Sequence, residues 1–411
     1  MLKSLFFHPA VVTTLWSQSI LGARQPARRD FALGDLALED GIVSLEPSET
    51  ALSPFYNLLE FAPRFDRSGE TAPDRAVLIV PPMSGAFPFI ARDMVARLAR
   101  DARVFVIEWL NARMIPGAAG AFDLDDQIDA IETAQRAISA RSANGRVHVL
   151  ALCQGGPPAL TAAAAAAERN APPASLTLIG APIEPRVRAS MISASLCEHD
   201  LGWYRHRLIE RRMPSTDGRR LVYPAEAQLS LLYSVLSKQD YEQDELSRMI
   251  LRDEGLDPAG ASFIELVTSL MDIPAEHFLQ NIERVYLTEA PAAERLRHRG
   301  RLLDFSALAR TPMISIEGEN DQVAAPGQTA AALEMCPAAP GVARRAAVIE
   351  GAGHFSLFYG VRWREQVAPR ILALISHAER LAQDEERGSS DERPGDEVDT
   401  APPGRSMQAS A

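Results

Sequence analysis

Within the run ALCQGG, residues 151–156, a cysteine sits at the end of the apolar stretch VHVLAL and directly before a run that reads as a helix. A sharp strand-to-helix turn thrusts its central side chain into a cleft, and it needs small neighbours where backbones crowd. Cys153 holds the nucleophile position of such a turn. The amide that follows, that of Gln154, points at the oxyanion that forms on an attacked carbonyl. The helix starting there adds its positive dipole end, which favours negative charge on the sulfur. Ala151 replaces the glycine usually found two places earlier, and a lone cysteine is commonly just a small buried apolar residue.

A thiol nucleophile needs a base, and the base needs an orienting acid. The run MISIEGENDQV places Asp321 just after a β-branched stretch, and AAVIEGAGHFSLF places His354 on a loop flanked by Gly351 and Gly353. An acid and then a histidine, each on a loop after a later strand, is the chain order of the α/β-hydrolase fold. In that reading His354 takes the thiol proton and later protonates a leaving alkoxide, while Asp321 orients the imidazole. Glu317, Glu319 and Asp304 are rival acids, Asp321 could cap a loop, and His354 is one of eight histidines. A second oxyanion donor is expected from VPPMSGAF, residues 80–87, with Met83 or Ser84 supplying the amide and Gly85 allowing close approach; an ordinary turn would read the same way. Ser84 as nucleophile would lack a helix-start turn of the right kind.

These residues need a scaffold, and the chain supplies one. Runs at 76–81, 103–108, 147–152, 175–179, 313–317 and 346–349 are nearly continuously apolar, as parallel strands buried on both faces require. Helical stretches at 89–101, 125–139 and 157–169 alternate with them, which predicts a mostly parallel sheet covered on both faces. The tract 162–167 reads as a helix packed closely on the sheet. Between about Pro182 and Arg301 the strand signal disappears and the chain reads as an inserted helical cap, with Leu229, Leu231, Leu232, Tyr233 and Leu236 as lid or core. The expected division is an N-terminal extension with helical and irregular elements at 1–73, a core in two parts at 74–182 and 305–380, the cap at 183–304 and a disordered acidic tail at 381–411. Trp109, Asn111 and Arg113 could shape the cleft, and Asp123, Asp125 and Asp126 read as helix-capping carboxylates.

Composition narrows the function further. The 411 residues carry a net charge of -12, which works against sequence-independent attraction to nucleic acid. Three cysteines without CxxC spacing suggest neither a disulfide framework nor a zinc site, and the aspartates lack metal-ligand partners. The N-terminal apolar run is broken by His8 and Pro9 and weakened by Ser17, Gln18 and Ser19, which argues against an export signal. No stretch reaches the roughly 20 apolar residues of a membrane span. The expectation is a cytoplasmic protein needing no cofactor and no metal.

With these residues in hand, the chain resembles the intracellular polyhydroxyalkanoate depolymerases and, more loosely, the polyhydroxyalkanoate synthases. The likeness is carried by VPPMSGAF at 80–87, VFVIEWLNARMIPGAAGAFDLDDQID at 104–129, HVLALCQ with SLTLIGAPIEPR within 148–186, and two stretches within 314–371. It implies a granule-acting hydrolase whose cysteine nucleophile, acid and histidine fall on Cys153, Asp321 and His354. The depolymerases follow Cys-Gln with Pro and a small polar residue, whereas Gly155 and Gly156 match the synthase box. Hydrolysis through an acyl-enzyme is therefore weighed against two alternatives: a synthase-like acyltransferase, and a non-catalytic granule-associated protein.

Overall fold

The six apolar runs form parallel neighbours in one eight-stranded sheet: β3 (Ala76–Val80), β4 (Arg103–Trp109), β5 (Val147–Leu152), β6 (Ser175–Ile179), β7 (Met313–Gly318) and β8 (Arg344–Ile349). Two further strands, β1 (Ser48–Ser53) and β2 (Tyr56–Phe61), form an antiparallel hairpin, and β2 pairs antiparallel with β4. The spatial order is β8-β7-β6-β5-β3-β4-β2-β1. The computed structural model describes residues 33, 35–38, 41–45, 47–62, 64–65, 75–84, 89–212, 220–236 and 270–391.

Alternation along each strand divides the core in two. Ala76, Leu78 and Val80 of β3 face one apolar cluster with helices α2 (Leu124–Ser139) and α3 (Gly156–Ala167). Val77 and Ile79 face the other, with α1 (Phe89–Leu98) and the terminal helix Ala368–Asp391. Both faces of β3 are wholly buried, which explains why it carries no polar alternation; β8 departs from the expectation, since it lies at the sheet edge with Arg345, Ala346 and Val348 exposed. The alanines of α3 from Ala162 to Ala166 are buried as well; their small side chains let the helix lie close to the sheet.

Three features differ from the sequence-based expectation. The segment read as helical and irregular before residue 74 contains the edge hairpin β1–β2 and further antiparallel pairs, Asp35–Leu38 with Gly41–Ser44 and the latter with Arg64–Phe65. An edge hairpin needs less apolar sequence than a central strand, and none of SETALS is buried. The segment read as wholly helical between β6 and β7 holds a small antiparallel sheet, Glu210–Arg212, Arg220–Tyr223 and Ile273–Pro274, beside helices that include Met191–Leu196, Ala225–Leu236 and Ala275–Asn281. Within it Arg220 is 5% exposed, and its guanidinium donates to the carbonyls of Ile115, Pro116 and Gly120. It thereby ties the insertion to the loop after β4.

The third difference lies at the acidic end. The terminal helix runs on to Asp391, past the boundary expected at 380, and along it Glu379, Glu385 and Glu386 pair with Arg75, Arg310 and Arg146 of the core. Carboxylates that suggest disorder by composition are thus partly matched by cations contributed from elsewhere in the chain. The expected tail from 392 to 411 lies outside the described residues, as do residues 1–32 and Gly85. Among the described residues no helix is long and apolar enough to cross a membrane.

Candidate active site

Strand β5 ends at Leu152, and the chain turns through a single 3-10 turn, Cys153–Gly155, into α3. Cys153 takes φ +50°, a left-handed conformation that costs a non-glycine residue about 1–2 kcal/mol. The surroundings impose it. A Cβ on Gly155 would lie 2.6 Å from the carbonyl oxygen of Val80, and one on Gly156 would lie 2.3 Å from Cβ of Ala181. Only glycines let α3 start this close to β3 and to the loop after β6, so the small residues anticipated around the cysteine have a steric reason.

The acid loop and the histidine loop leave the adjacent strands β7 and β8 and are laced together. Asn320 N–H donates to Ala352 O at 2.9 Å, and Gly351 N–H donates to Glu319 Oε2 at 2.8 Å. Gly351 takes φ +63°, which lets the chain turn back over the end of the sheet. There His354 Nδ1 lies 2.7 Å from Asp321 Oδ2. The other oxygen of Asp321 accepts the amides of Val323 and Ala324 at 2.7 and 2.8 Å, so the carboxylate is fixed at both ends. Both side chains are buried, with His354 edge-on to Phe355 and Phe358.

Electrostatics separates this histidine from two other buried ones. Burial pulls the imidazoles of His148 and His277 down to about 4. Burial acts the same way on His354, but the charge of Asp321 and that of the Cys153 sulfur, with a hydrogen bond to each, outweigh it and hold the imidazole well above its ordinary value. His354 thus meets the carboxylate through Nδ1, and the Cys153 sulfur acts on the same ring.

The rival acids have other work. Glu317 Oε1 accepts the amides of Gly327, Thr329 and Ala330, Glu319 holds Gly351, and Asp304 caps the turn at Ser306. Of the residues after β4, Trp109 is buried and donates through Nε1 to Pro81 O at 3.0 Å, which steadies the loop after β3. Asn111 caps a short turn by accepting the amide of Arg113. Asp123 and Asp126 form a reciprocal capping box at the start of α2, whereas Asp125 grips Arg284 through two 2.8 Å hydrogen bonds.

Cys153, Gln154, Ser84 and His354 line one cleft. Met83, named with Ser84 as a source of the second amide, has its side chain packed in the core. The far walls come from the insertion: Ile192 and Leu196, Tyr223 stacked at 3.7 Å on Phe278, and Gln228, Leu231, Asn281 and Ile282. Sequence reasoning picked out only Leu231 of these; the side chains of Leu229, Leu232, Tyr233 and Leu236 lie outside those described. The signal for the rest was faint: residues 278, 281 and 282, like 228 and 231, repeat at helical spacing and mark one face of each helix. Among the described residues no cluster of three or more His, Cys, Asp or Glu side chains could hold a metal ion.

The sheet order, the strained turn and the three loops define an α/β-hydrolase. Solved structures agree on the fold: a candidate lipase from Sulfolobus solfataricus is 13% identical, with 84% of this chain and 98% of that chain covered and a TM-score of 0.50. A lipase in its open form is 14% identical, with 82% and 99% covered and a TM-score of 0.50. No curated protein matches the chain. Residues 180–379, which carry the acid loop, the histidine loop and most of the cleft's outer wall, match the family described as PHB de-polymerase C-terminus. On that match residues 180–379 belong to the PHB depolymerase family, and the chain is a carboxylic ester hydrolase.

Proposed function

We propose that the protein is a polyhydroxyalkanoate depolymerase that cleaves ester bonds of poly(3-hydroxybutyrate)-type polymer, with Cys153 as nucleophile, His354 as base and Asp321 as the orienting acid. The observation that carries this reading is the 2.7 Å contact between His354 and Asp321 in the cleft that also holds Cys153 on its left-handed turn. With Nδ1 engaged by the carboxylate, Nε2 is the nitrogen left to take the thiol proton. The thiolate attacks the ester carbonyl, and the oxyanion is met by the amides of Gln154 and of Ser84 or Met83. The carbon–oxygen bond breaks as His354 returns the proton to the leaving alkoxide. Water, deprotonated by the same imidazole, then cleaves the thioester and releases the hydroxy acid. No cofactor takes part.

The apolar wall supplied by the insertion, residues 183–304, suits a polyester segment, whose only polar groups are its ester oxygens. The protein would act in the cytoplasm at the granule surface. Purified wild type, Cys153→Ala and His354→Ala incubated with amorphous polyhydroxybutyrate granules test this reading by soluble hydroxybutyrate. Release by wild type alone is expected. A wild type that hydrolyses short esters but leaves granules intact would remove the polymer and keep the esterase. Release of CoA from hydroxyacyl-CoA with chain growth would instead make it an acyltransferase, and granule effects that survive Cys153→Ala would make the site vestigial.

A further inference from the structure

One polar group in the cleft is left without a partner. Gln228, on the helix Ala225–Leu236, lines the same cleft as Cys153 and His354 and is 8% exposed. Its Nε2 donates to the carbonyl oxygen of Met271 at 2.7 Å, and a carbonyl can only accept, so the orientation of the amide is fixed. Its Oε1 is buried with no hydrogen-bond partner among the described residues. The cleft it lines is otherwise walled largely by apolar side chains, Leu231, Ile273 and Phe278 among them. A buried acceptor is costly to leave unmet, and a site holding one favours ligands that bring a donor.

We propose that Gln228 Oε1 accepts the free hydroxyl at the end of a hydroxyacid polyester and so makes the enzyme cleave the hydroxyl-terminal unit. This rests on the depolymerase reading above. Along a polyester every internal oxygen is an ester or carbonyl oxygen and can only accept; the terminal hydroxyl is the one donor near a scissile carbonyl. With that hydroxyl on Gln228, the Cys153 sulfur bonds the carbonyl carbon of the last unit. The bond from that carbon to the next unit's oxygen breaks, and His354 gives that oxygen a proton. The shortened chain leaves with a new free hydroxyl, and water releases the bound unit as a hydroxy acid.

The test compares the linear 3-hydroxybutyrate trimer with the same trimer acetylated on its hydroxyl, alongside p-nitrophenyl butyrate, for wild type and Gln228→Met. Wild type is expected to favour the free trimer by about 10- to 100-fold in kcat/KM, with monomer as first product, and Gln228→Met to bring that ratio near one. Equal rates on free and capped trimers by wild type overturn the inference with no variant needed, so a poorly folding Gln228→Met does not shield it. A preference that survives in folded Gln228→Met overturns the assignment to this residue. If wild type hydrolyses p-nitrophenyl butyrate but neither trimer, the depolymerase reading falls as well.

Discussion

Gly180, at the end of β6, runs alongside the imidazole of His354 so closely that a methyl group there would lie 3.1 Å from Cε1 and 3.2 Å from Nδ1. The ring that faces Asp321 is therefore held by backbone as well as by its hydrogen bond. Gly180 also takes φ +54°, so Gly180→Ala adds left-handed strain of about 1–2 kcal/mol to the contact with the ring. Chemical denaturation should show that loss. Steady-state kinetics on a short ester should show kcat falling further than stability alone explains, with KM little changed.

Asp321→Asn keeps the shape but removes the charge that holds His354 in place. A loss of about 1000- to 10000-fold in kcat is expected, the size that tautomer errors produce in related triads. Stability should respond to pH as well. The folded imidazole titrates above its unfolded value of 6.5, so its contribution is complete below 6.5 and is lost as pH rises through the raised folded value. Unfolding midpoints measured from pH 6 upward should show this decline in wild type and a flatter profile in Asp321→Asn.

The sulfur contributes to the same shift. Cys153→Ala deletes both the charge and the hydrogen bond that it offers His354, leaving burial opposed by Asp321 alone. An NMR titration of the His354 ring should place its midpoint lower in Cys153→Ala than in wild type; an identical midpoint would mean the two side chains are not in contact.

Trp109 steadies the loop after β3 from a distance. Trp109→Phe keeps most of the ring in the core but leaves the carbonyl of Pro81 without the indole donor at 3.0 Å. A cost of about 1–3 kcal/mol follows from the unmet carbonyl, and kcat should fall if the loop supplies an oxyanion amide. Ester hydrolysis and thermal unfolding measured together separate the two effects.

Much of this was legible in the chain itself. Five of the six parallel strands declare themselves because they are buried along almost their whole length and so are mostly apolar, whereas β8 is an edge strand with Arg345, Ala346 and Val348 exposed; the turn at Cys153 declares itself because a Cβ on either following glycine would lie 2.6 or 2.3 Å from a neighbouring atom. The acid and histidine follow from their places after β7 and β8. The edge hairpin Ser48–Phe61 was not legible, since its outer strand is half solvated and its pairing with β4 joins residues about 50 apart. Gln228 was hidden for another reason: a glutamine in an amphipathic helix reads as solvent-facing until the fold shows its oxygen enclosed. The glutamates of the terminal helix misled in the same way, because partners in space cannot be read from neighbours in sequence.

The most direct measurement of the central claim is intact-protein and peptide mass spectrometry of the enzyme quenched in acid during turnover of a 3-hydroxybutyrate oligomer. A hydroxyacyl adduct is expected on the peptide carrying Cys153, and both the adduct and all hydrolysis should be absent in Cys153→Ala. Undiminished hydrolysis by Cys153→Ala, or an adduct on a different residue, would contradict it.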